Sequence, residues 1–158
     1  MKAVVITVSD SSSRGEREDV SGPRVKAHLE AAGFTVAPIL VVPDEAAIVS
    51  QRLRDFAGGG QCDVIFTTGG TGVAQRDITP EATRQVIDKE IPGFGELMRA
   101  EGLKHTTLAP LSRATAGTLG RTLIVNLPGS PKGAVESLDA ILGLVPHVHK
   151  LLCGETGH

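Results

Sequence analysis

Trp and Tyr are absent from this sequence, and Phe occurs only four times. The core must therefore be built from Val, Ile, Leu and Ala. The scarcity of aromatic residues argues against nucleic acid as a partner, because proteins that bind single strands stack such side chains on the bases. Sixteen Lys and Arg against eighteen Asp and Glu give a formal net charge of -2, so there is also no basic excess to neutralise a phosphate backbone. No nucleic-acid partner is expected.

Cysteine is rare and long apolar runs are missing. Cys62 and Cys153 form neither a CxxC pair nor a Cys/His ligand pattern, which predicts reduced thiols and no zinc site or disulfide framework. The first apolar stretch is interrupted at Ser9 and Asp10, too early for a secretory signal. No segment approaches the roughly 18 apolar residues of a membrane span. These absences predict a cytoplasmic protein with no membrane contact.

The 158 residues have an ordinary globular composition, 41% apolar and 22% charged, which predicts one domain over residues 1–158. Short apolar runs predict strands, and helical periodicity follows each of them. The predicted strands are 3–8, 34–42, 62–67 and 122–127. Strands that alternate with helices predict a three-layer α/β fold, in which helices cover both faces of a doubly wound, mostly parallel sheet.

Turn and cap residues predict where the helices begin and end. Residues 9–19 read as a loop, and Pro23 is expected at the first position of the helix that follows. Thr79 is expected to cap a helix that continues through residue 90, with Pro80 at its first position. Another helix is predicted over residues 94–102, and an amphipathic stretch over 134–152 is interrupted at Pro146.

Polar residues and glycines follow all four predicted strands, in segments 9–12, 43–45, 68–77 and 126–132. In an open α/β sheet, ligands bind beyond the carboxyl ends of the strands. The segments at the opposite edge carry little more than turn residues. One site at one edge of the sheet is therefore predicted.

The segment Gly69-Gly70-Thr71-Gly72, directly after Thr68, is a candidate anion-binding loop. Glycines tolerate the positive φ angles that align successive backbone N–H groups around a phosphate. A tight turn between strand and helix accounts for the segment equally well. Neither common nucleotide motif fits, because no Lys-Ser/Thr follows the last glycine and the spacing departs from GxGxxG.

Asp44 and Asp77 follow different strands, so their carboxylates are expected to face one crevice. Each could simply cap a helix or lie solvated in a loop. Beside an anion loop, two carboxylates could hold Mg²⁺ together with substrate phosphates and water. An Asp could also accept hydrogen bonds from the amino-pyrimidinone edge of a pterin. Asn126 and Lys132 add an amide and an ammonium group, although Lys132 could equally be a solvated surface residue.

Taken together, these segments closely resemble the MogA/MoaB family of molybdenum cofactor biosynthesis proteins, to which the gephyrin G domain also belongs. The resemblance covers nearly the whole chain and is most specific in TTGGTGVAQRDITPEAT and NLPGSPKG. It is supported by TVSD, VPDE, PGFGELMR and LSRATAG. It implies a homotrimeric α/β fold and transfer of AMP from ATP to molybdopterin, with Mg²⁺ as cofactor and a molybdenum insertase as a possible partner.

The resemblance also assigns residues. Asp44 and Asp77 match the functional aspartates, either of which could hold the metal, and the segment 69–72 matches the nucleotide and pterin loop. Further residues match segments that line the pocket: Ser9, Asp10, Thr68, Ser112, Asn126, Pro128, Gly129 and Lys132. Three alternatives remain open. They are a MoaB-like member that binds the pterin with little transferase activity, a scaffold that acts mainly through protein interactions, and a different nucleotide-dependent pterin enzyme.

Overall fold

The computed structural model describes residues 1–155, in which seven strands form one mixed sheet. The strand order is β2-β1-β4-β7-β6-β5. Strand β3 also pairs with β1, at residues 6–8, whereas β2 pairs with residues 2 and 3. Strands β1 to β4 and β7 pair in parallel, whereas β6 pairs antiparallel with both β7 and β5. The bounds are β1 Lys2–Val8, β2 Thr35–Val36, β3 Leu40–Val42, β4 Val64–Thr68, β5 Lys89–Glu90, β6 Ala116–Leu119 and β7 Thr122–Leu127.

Helices lie on both faces of the sheet, as predicted. Their bounds are α1 Asp10–Ser13, α2 Ser21–Ala31, α3 Ala46–Gly58, α4 Thr79–Arg84, α5 Pro92–Gly102, α6 Pro131–Leu142 and α7 Val145–Leu152, with a 3-10 helix at Ala109–Leu111. On one face Leu29, Phe94 and Leu138 pack in a cluster with Phe66 of β4, and on the other Leu53 and Ala82 pack with Ile65. Within residues 1–155, no helix has the length and apolar character needed to cross a membrane.

The three central strands are buried on both faces, which is why they read as continuous apolar runs. All of β4 and β7 is buried, as is β1 after Lys2. The registers pair Thr7 with Thr68 and Thr68 with Leu127, so these strands end level with one another. The segments that follow them therefore meet at one edge of the sheet.

Two predictions about strands and loops were wrong. The single strand over 34–42 is two short strands, because Pro38 lies between them and has no N–H for a ladder hydrogen bond. The predicted loop 9–19 contains α1, whose first turn is capped by Ser9: its Oγ accepts from the Ser12 N–H at 3.2 Å.

Four helix boundaries also differ from the predictions. Pro23 is the third residue of α2, and the break in the last amphipathic stretch falls after Leu142, so that Pro146 is the second residue of α7. Thr79 is the first residue of α4 and Ile78 is its N-cap, because the Thr79 hydroxyl donates to Gly69 O at 2.9 Å instead of capping. The helix stops at Arg84, and the chain then enters the edge strand β5.

Candidate functional site

A cleft of about 450 Å³ lies at the carboxyl ends of β1 and β4. It collects residues from all four segments that the sequence singled out. Of the predicted site residues, those that line it are Ser9, Asp44, Thr68, Gly69, Gly70, Asp77 and Gly129. The strand registers explain this, because they bring segments distant in sequence to one edge of the sheet.

Thr79 binds two backbone carbonyls of the loop after β4. Gly69 and Gly70 have φ angles of +103° and +64°. The Gly69 carbonyl accepts from Thr79 Oγ1, and the Gly70 carbonyl accepts from Thr79 N at 3.0 Å. Within residues 1–155, the N–H groups of residues 70–73 donate to no other protein atom. The loop therefore offers consecutive donors suited to an anion.

Both aspartate carboxylates lie against this loop. A methyl group on Gly70 would be 3.2 Å from Asp44 Oδ1, and one on Gly72 would be 2.7 Å from Asp77 Oδ2. Asp77 Oδ2 also accepts from Ala74 N at 2.8 Å, which fixes the carboxylate at the start of α4. Both positions thus lack room for a side chain, and Gly70 also has a positive φ.

Asp44 is bound reciprocally to Asp10. The N–H of Asp10 donates to Asp44 Oδ2 at 2.8 Å, and the N–H of Asp44 donates to Asp10 Oδ1 at 2.9 Å. Arg76, from the loop, donates to Asp10 Oδ2 at 2.9 Å. The hydrogen bond from Asp44 N and the Arg76 guanidinium lower the pKa of Asp10. Burial, together with the charges of Asp10 and Asp77, raises the pKa of Asp44.

Two helices begin at the same cleft. Val20 and Ser21, at the start of α2, line it on one side, and Ser130 and Pro131, at the start of α6, line it on another. The partial positive charge at a helix N-terminus favours anions. A polyphosphate in the cleft would therefore meet two helix ends as well as Gly70, whose N–H group has no acceptor within residues 1–155.

The charged side chains that line the cleft are mostly acidic. Glu18, Asp19, Asp44 and Asp77 face a single guanidinium, that of Arg17. Among the described residues, no three His, Cys, Asp or Glu side chains are grouped to bind a metal by themselves. Asp44 and Asp77 nevertheless fit Mg²⁺, which usually takes one or two carboxylates and completes its shell with substrate oxygens and water.

Comparison with known proteins decides the family. A family described as a probable molybdopterin binding domain matches residues 4–149. The molybdopterin adenylyltransferase of Helicobacter pylori (strain J99) is 42% identical over 154 residues, which covers 95% of this chain and 86% of the relative. The Escherichia coli K12 protein of the same name is 40% identical over 139 residues, or 87% of this chain and 71% of the relative.

A solved structure agrees with these relatives. The molybdopterin biosynthesis enzyme MoaB from Thermus thermophilus is 50% identical and superimposes with a TM-score of 0.89, covering 97% of this chain and 96% of the other. The chain belongs to the MogA/MoaB family. The resemblance found in the sequence is confirmed, and the α/β architecture is the one that family members share.

Several residues assigned by resemblance to the MogA/MoaB family lie outside the cleft. Asn126 is fully buried in β7, where its Nδ2 donates to Thr67 Oγ1 at 3.0 Å and Thr83 Oγ1 at 2.9 Å. Thr71 is buried behind the loop. Lys132 is 78% exposed, with Nζ 3.5 Å from Glu136 Oε1. Asn126 therefore joins β4 and β7 to α4 immediately behind the site.

Ser112 and Pro128 line a second cavity, of about 260 Å³, beside the cleft. Its other walls include Met98, Leu108 and Ala109, with Arg99 and Glu136 as charged groups. Ser130 lines both cavities. In this MogA/MoaB protein, a polar cleft and a more apolar cavity thus meet at the turn between β7 and α6.

Sequence analysis missed the contribution of α2 to the cleft. Asp19 Oδ2 accepts from Thr7 Oγ1 at 2.7 Å, while its Oδ1 accepts from Gly22 N at 3.0 Å. Ser21 Oγ lies 2.6 Å from Thr68 Oγ1, which ties the start of α2 to the end of β4. The sequence predicts a helix that begins soon after the carboxyl end of β1, and this position was a signal that its first residues line the site. Pro23 was used only to predict where that helix begins.

The raised pKa of Asp44 predicts a stability effect. A carboxyl whose pKa is higher in the folded state binds its proton more tightly there, so ionisation lowers the free energy of unfolding as pH rises through the folded pKa. Asp44→Asn should raise the Tm at pH 7 by up to about 3 °C. In a domain of this size, that shift corresponds to a gain of less than about 1 kcal/mol in the free energy of unfolding. The gain should vanish below about pH 3, where both states of the wild type are protonated.

Asp10→Asn is the matched control, measured by thermal melts over the same pH series. The pKa of Asp10 is lowered on folding, so its charge stabilises the native state above the unfolded pKa. Its removal should lower the Tm at pH 7, opposite in sign to Asp44→Asn. A lower Tm for Asp44→Asn at pH 7 would contradict the electrostatic account.

Proposed function

We propose that this protein is a molybdopterin adenylyltransferase, which uses ATP and Mg²⁺ to convert molybdopterin into adenylyl-molybdopterin. The observation that carries the proposal is the placement of Asp44 and Asp77 on either side of the Gly70–Gly72 segment in a cleft where two helices begin. Relatives of the MogA/MoaB family named molybdopterin adenylyltransferase support the same assignment.

The polar cleft is the proposed nucleotide site. The N–H group of Gly70 and the two helix ends suit phosphate oxygens, whereas the surrounding carboxylates would repel a free polyphosphate. Bound Mg²⁺ would supply positive charge between the carboxylates and the phosphates. Asp44 and Asp77 would hold it, since the Asp44 carboxylate lies beside Gly70 and the Asp77 carboxylate lies beside Gly72.

The cavity beside the cleft is the proposed pterin site. Its apolar wall, formed by Met98, Leu108 and Ala109, suits the face of a flat heterocycle, and Ser112 can bond to its polar edge. Because Ser130 lines both cavities, a ligand in one would lie next to a ligand in the other. The arrangement supports a reaction between two substrates bound side by side.

In the proposed reaction, a terminal phosphate oxygen of molybdopterin attacks the α-phosphorus of ATP. A new P–O bond forms, the bond to the bridging oxygen of the β-phosphate breaks, and pyrophosphate leaves with that electron pair. The chain's role is to hold both phosphates in line and to place N–H donors near the charge that develops. No side chain has to form a covalent intermediate.

The remaining expectations from the resemblance belong to this proposal. We expect a homotrimer in the cytoplasm that passes its product to a molybdenum insertase. Sedimentation equilibrium would test the oligomeric state, and a stable monomer at micromolar concentration would remove that part.

The deciding experiment is to incubate purified protein with molybdopterin, ATP and Mg²⁺ and to follow adenylyl-molybdopterin and pyrophosphate by chromatography. Formation of both in equal amounts supports the transferase. The MoaB-like alternative predicts pterin binding without product, and this outcome would overturn the transferase assignment. Omitting Mg²⁺ should abolish product while leaving pterin binding measurable.

A further inference from the structure

Arg113 lies outside the cleft, in the segment between the 3-10 helix and β6. It nevertheless donates three hydrogen bonds to backbone carbonyls of the segment 71–77, which contains part of the glycine-rich loop. Its backbone N donates to Thr71 O at 2.8 Å, its Nε to Gly72 O at 2.7 Å and its Nη2 to Asp77 O at 2.6 Å. The remaining Nη1 pairs with the carboxylate of Glu81, in the first turn of α4. A single residue therefore joins both ends of the exposed stretch 73–76 and the helix that follows.

These contacts complete a pattern in the loop carbonyls. Thr79 binds the carbonyls of Gly69 and Gly70, and Arg113 binds those of Thr71 and Gly72. In a trans peptide the C=O and the next residue's N–H point in opposite directions. Each bound carbonyl therefore turns the N–H group of the following residue, from 70 to 73, away from the donor that binds that carbonyl. This explains why those N–H groups have no acceptor within the described part of the chain.

The geometry requires the guanidinium rather than positive charge alone. Nε and Nη2 belong to one planar group, so they can serve two carbonyls that approach in nearly the same plane while Nη1 serves the carboxylate. A Lys ammonium has its three donors on one nitrogen and cannot span Gly72 O, Asp77 O and Glu81 at the same time. Burial raises the pKa of Glu81, but the hydrogen bond and the charge of Arg113 help to lower it below its ordinary value.

We propose that Arg113 is a positioning residue, which orients the loop peptides for phosphate binding and holds Asp77 opposite Asp44. The expected effect on kcat/KM rests on the proposed function. The expected effect on the order of residues 69–79 does not. It assigns Arg113 of the LSRATAG segment a role from behind the loop, through residues 71–77, and not through contact with a substrate.

The test compares Arg113→Lys with Arg84→Lys, which makes the same chemical change at a surface ion pair, where Arg84 Nε and Nη2 both donate to Glu90 Oε1. In Arg113→Lys, amide hydrogen exchange within residues 69–79 and tryptic cleavage after Arg76 should each become at least about tenfold faster, the scale of one lost charged hydrogen bond. Arg84→Lys should leave both rates within about twofold of the wild type.

The steady-state kinetics give a second readout. For Arg113→Lys, kcat/KM for ATP should fall at least about tenfold, mostly through KM, because phosphate binding depends on the loop donors. If Arg113→Lys folds poorly, Arg113→Ala with added ethylguanidinium provides the alternative, and partial recovery of slow exchange and of kcat/KM is expected. Ethylammonium has the positive charge but not the planar guanidinium with its several N–H donors, so it should restore neither slow exchange nor kcat/KM.

Unchanged exchange and cleavage in Arg113→Lys would overturn the proposal, as would exchange that accelerates uniformly over all peptides, which indicates a loss of global stability. If the wild-type protein forms no adenylyl-molybdopterin, the proposed function fails. In that case exchange and proteolysis still decide the role of Arg113, so the two failures are distinguishable.

Discussion

Replacing Asp77 with Asn is expected to lower kcat for adenylyl transfer by about 10² to 10³-fold, the range that follows loss of one preorganised electrostatic group. The fold should persist, because Asp77 Oδ2 accepts from Ala74 N and an amide oxygen can accept the same hydrogen bond. The negative charge beside Gly72 is lost, and with it one of the two proposed ligands to Mg²⁺.

Asp88→Asn is the matched control for this measurement. Its Oδ2 likewise accepts from a backbone N–H, that of Gly120 at 2.7 Å, but it lies near the β5–β6 edge and outside the cleft. Steady-state rates and thermal melts on the two variants should show similar Tm values and very different kcat. An Asp77→Asn protein with wild-type turnover would remove Asp77 from the proposed reaction centre.

Gly69→Ala should cause the largest loss of stability, about 3 kcal/mol or more, which corresponds to a Tm decrease of roughly 6–12 °C. A methyl group at this position would lie 2.3 Å from the carbonyl oxygen of Val8, which is backbone and cannot rotate away. The φ angle of +103° adds conformational strain. Relief would require β1 and β4 to separate where they border the cleft.

Gly33→Ala separates these two causes. Gly33 has a φ of +88°, yet an added methyl group meets nothing within 4 Å, so only the conformational cost of about 1–2 kcal/mol remains. Chemical denaturation of both variants gives the difference in unfolding free energy. Equal losses for Gly69→Ala and Gly33→Ala would show that the contact with Val8 does not matter.

Elements with a strong local signal were predictable from the sequence. Strands β1, β4 and β7 are apolar because both of their faces are buried, and this pattern needs no partner to be recognised. The polar segments after them met at one edge because parallel strands align their carboxyl ends. Asp44, Asp77 and the loop at 69–72 were therefore found from position along the chain.

Features that depend on distant contacts were not predictable. Thr79 has a good capping side chain, but the Gly69 carbonyl competes for its hydroxyl, and this acceptor is ten residues away in sequence. The link from Arg113 to residues 71–77 crosses more than thirty positions, and no periodicity reports it. Asn126 resembled a pocket residue because it ends a strand, whereas its side chain faces two threonines in the interior.

The place of β4 in the sheet has a consequence for how the protein folds. Val64 pairs with Ala3 on one side and Leu123 on the other, about 60 positions away in each direction. Such pairing closes long loops, so slow folding with little stable native-like substructure early on is expected. Gly69 N donates to Leu127 O, so a nascent chain cannot complete the loop until β7 has been synthesised and inserted. Nucleotide affinity would then report completion of folding, because the turn that follows the last sheet strand to be made lines the site.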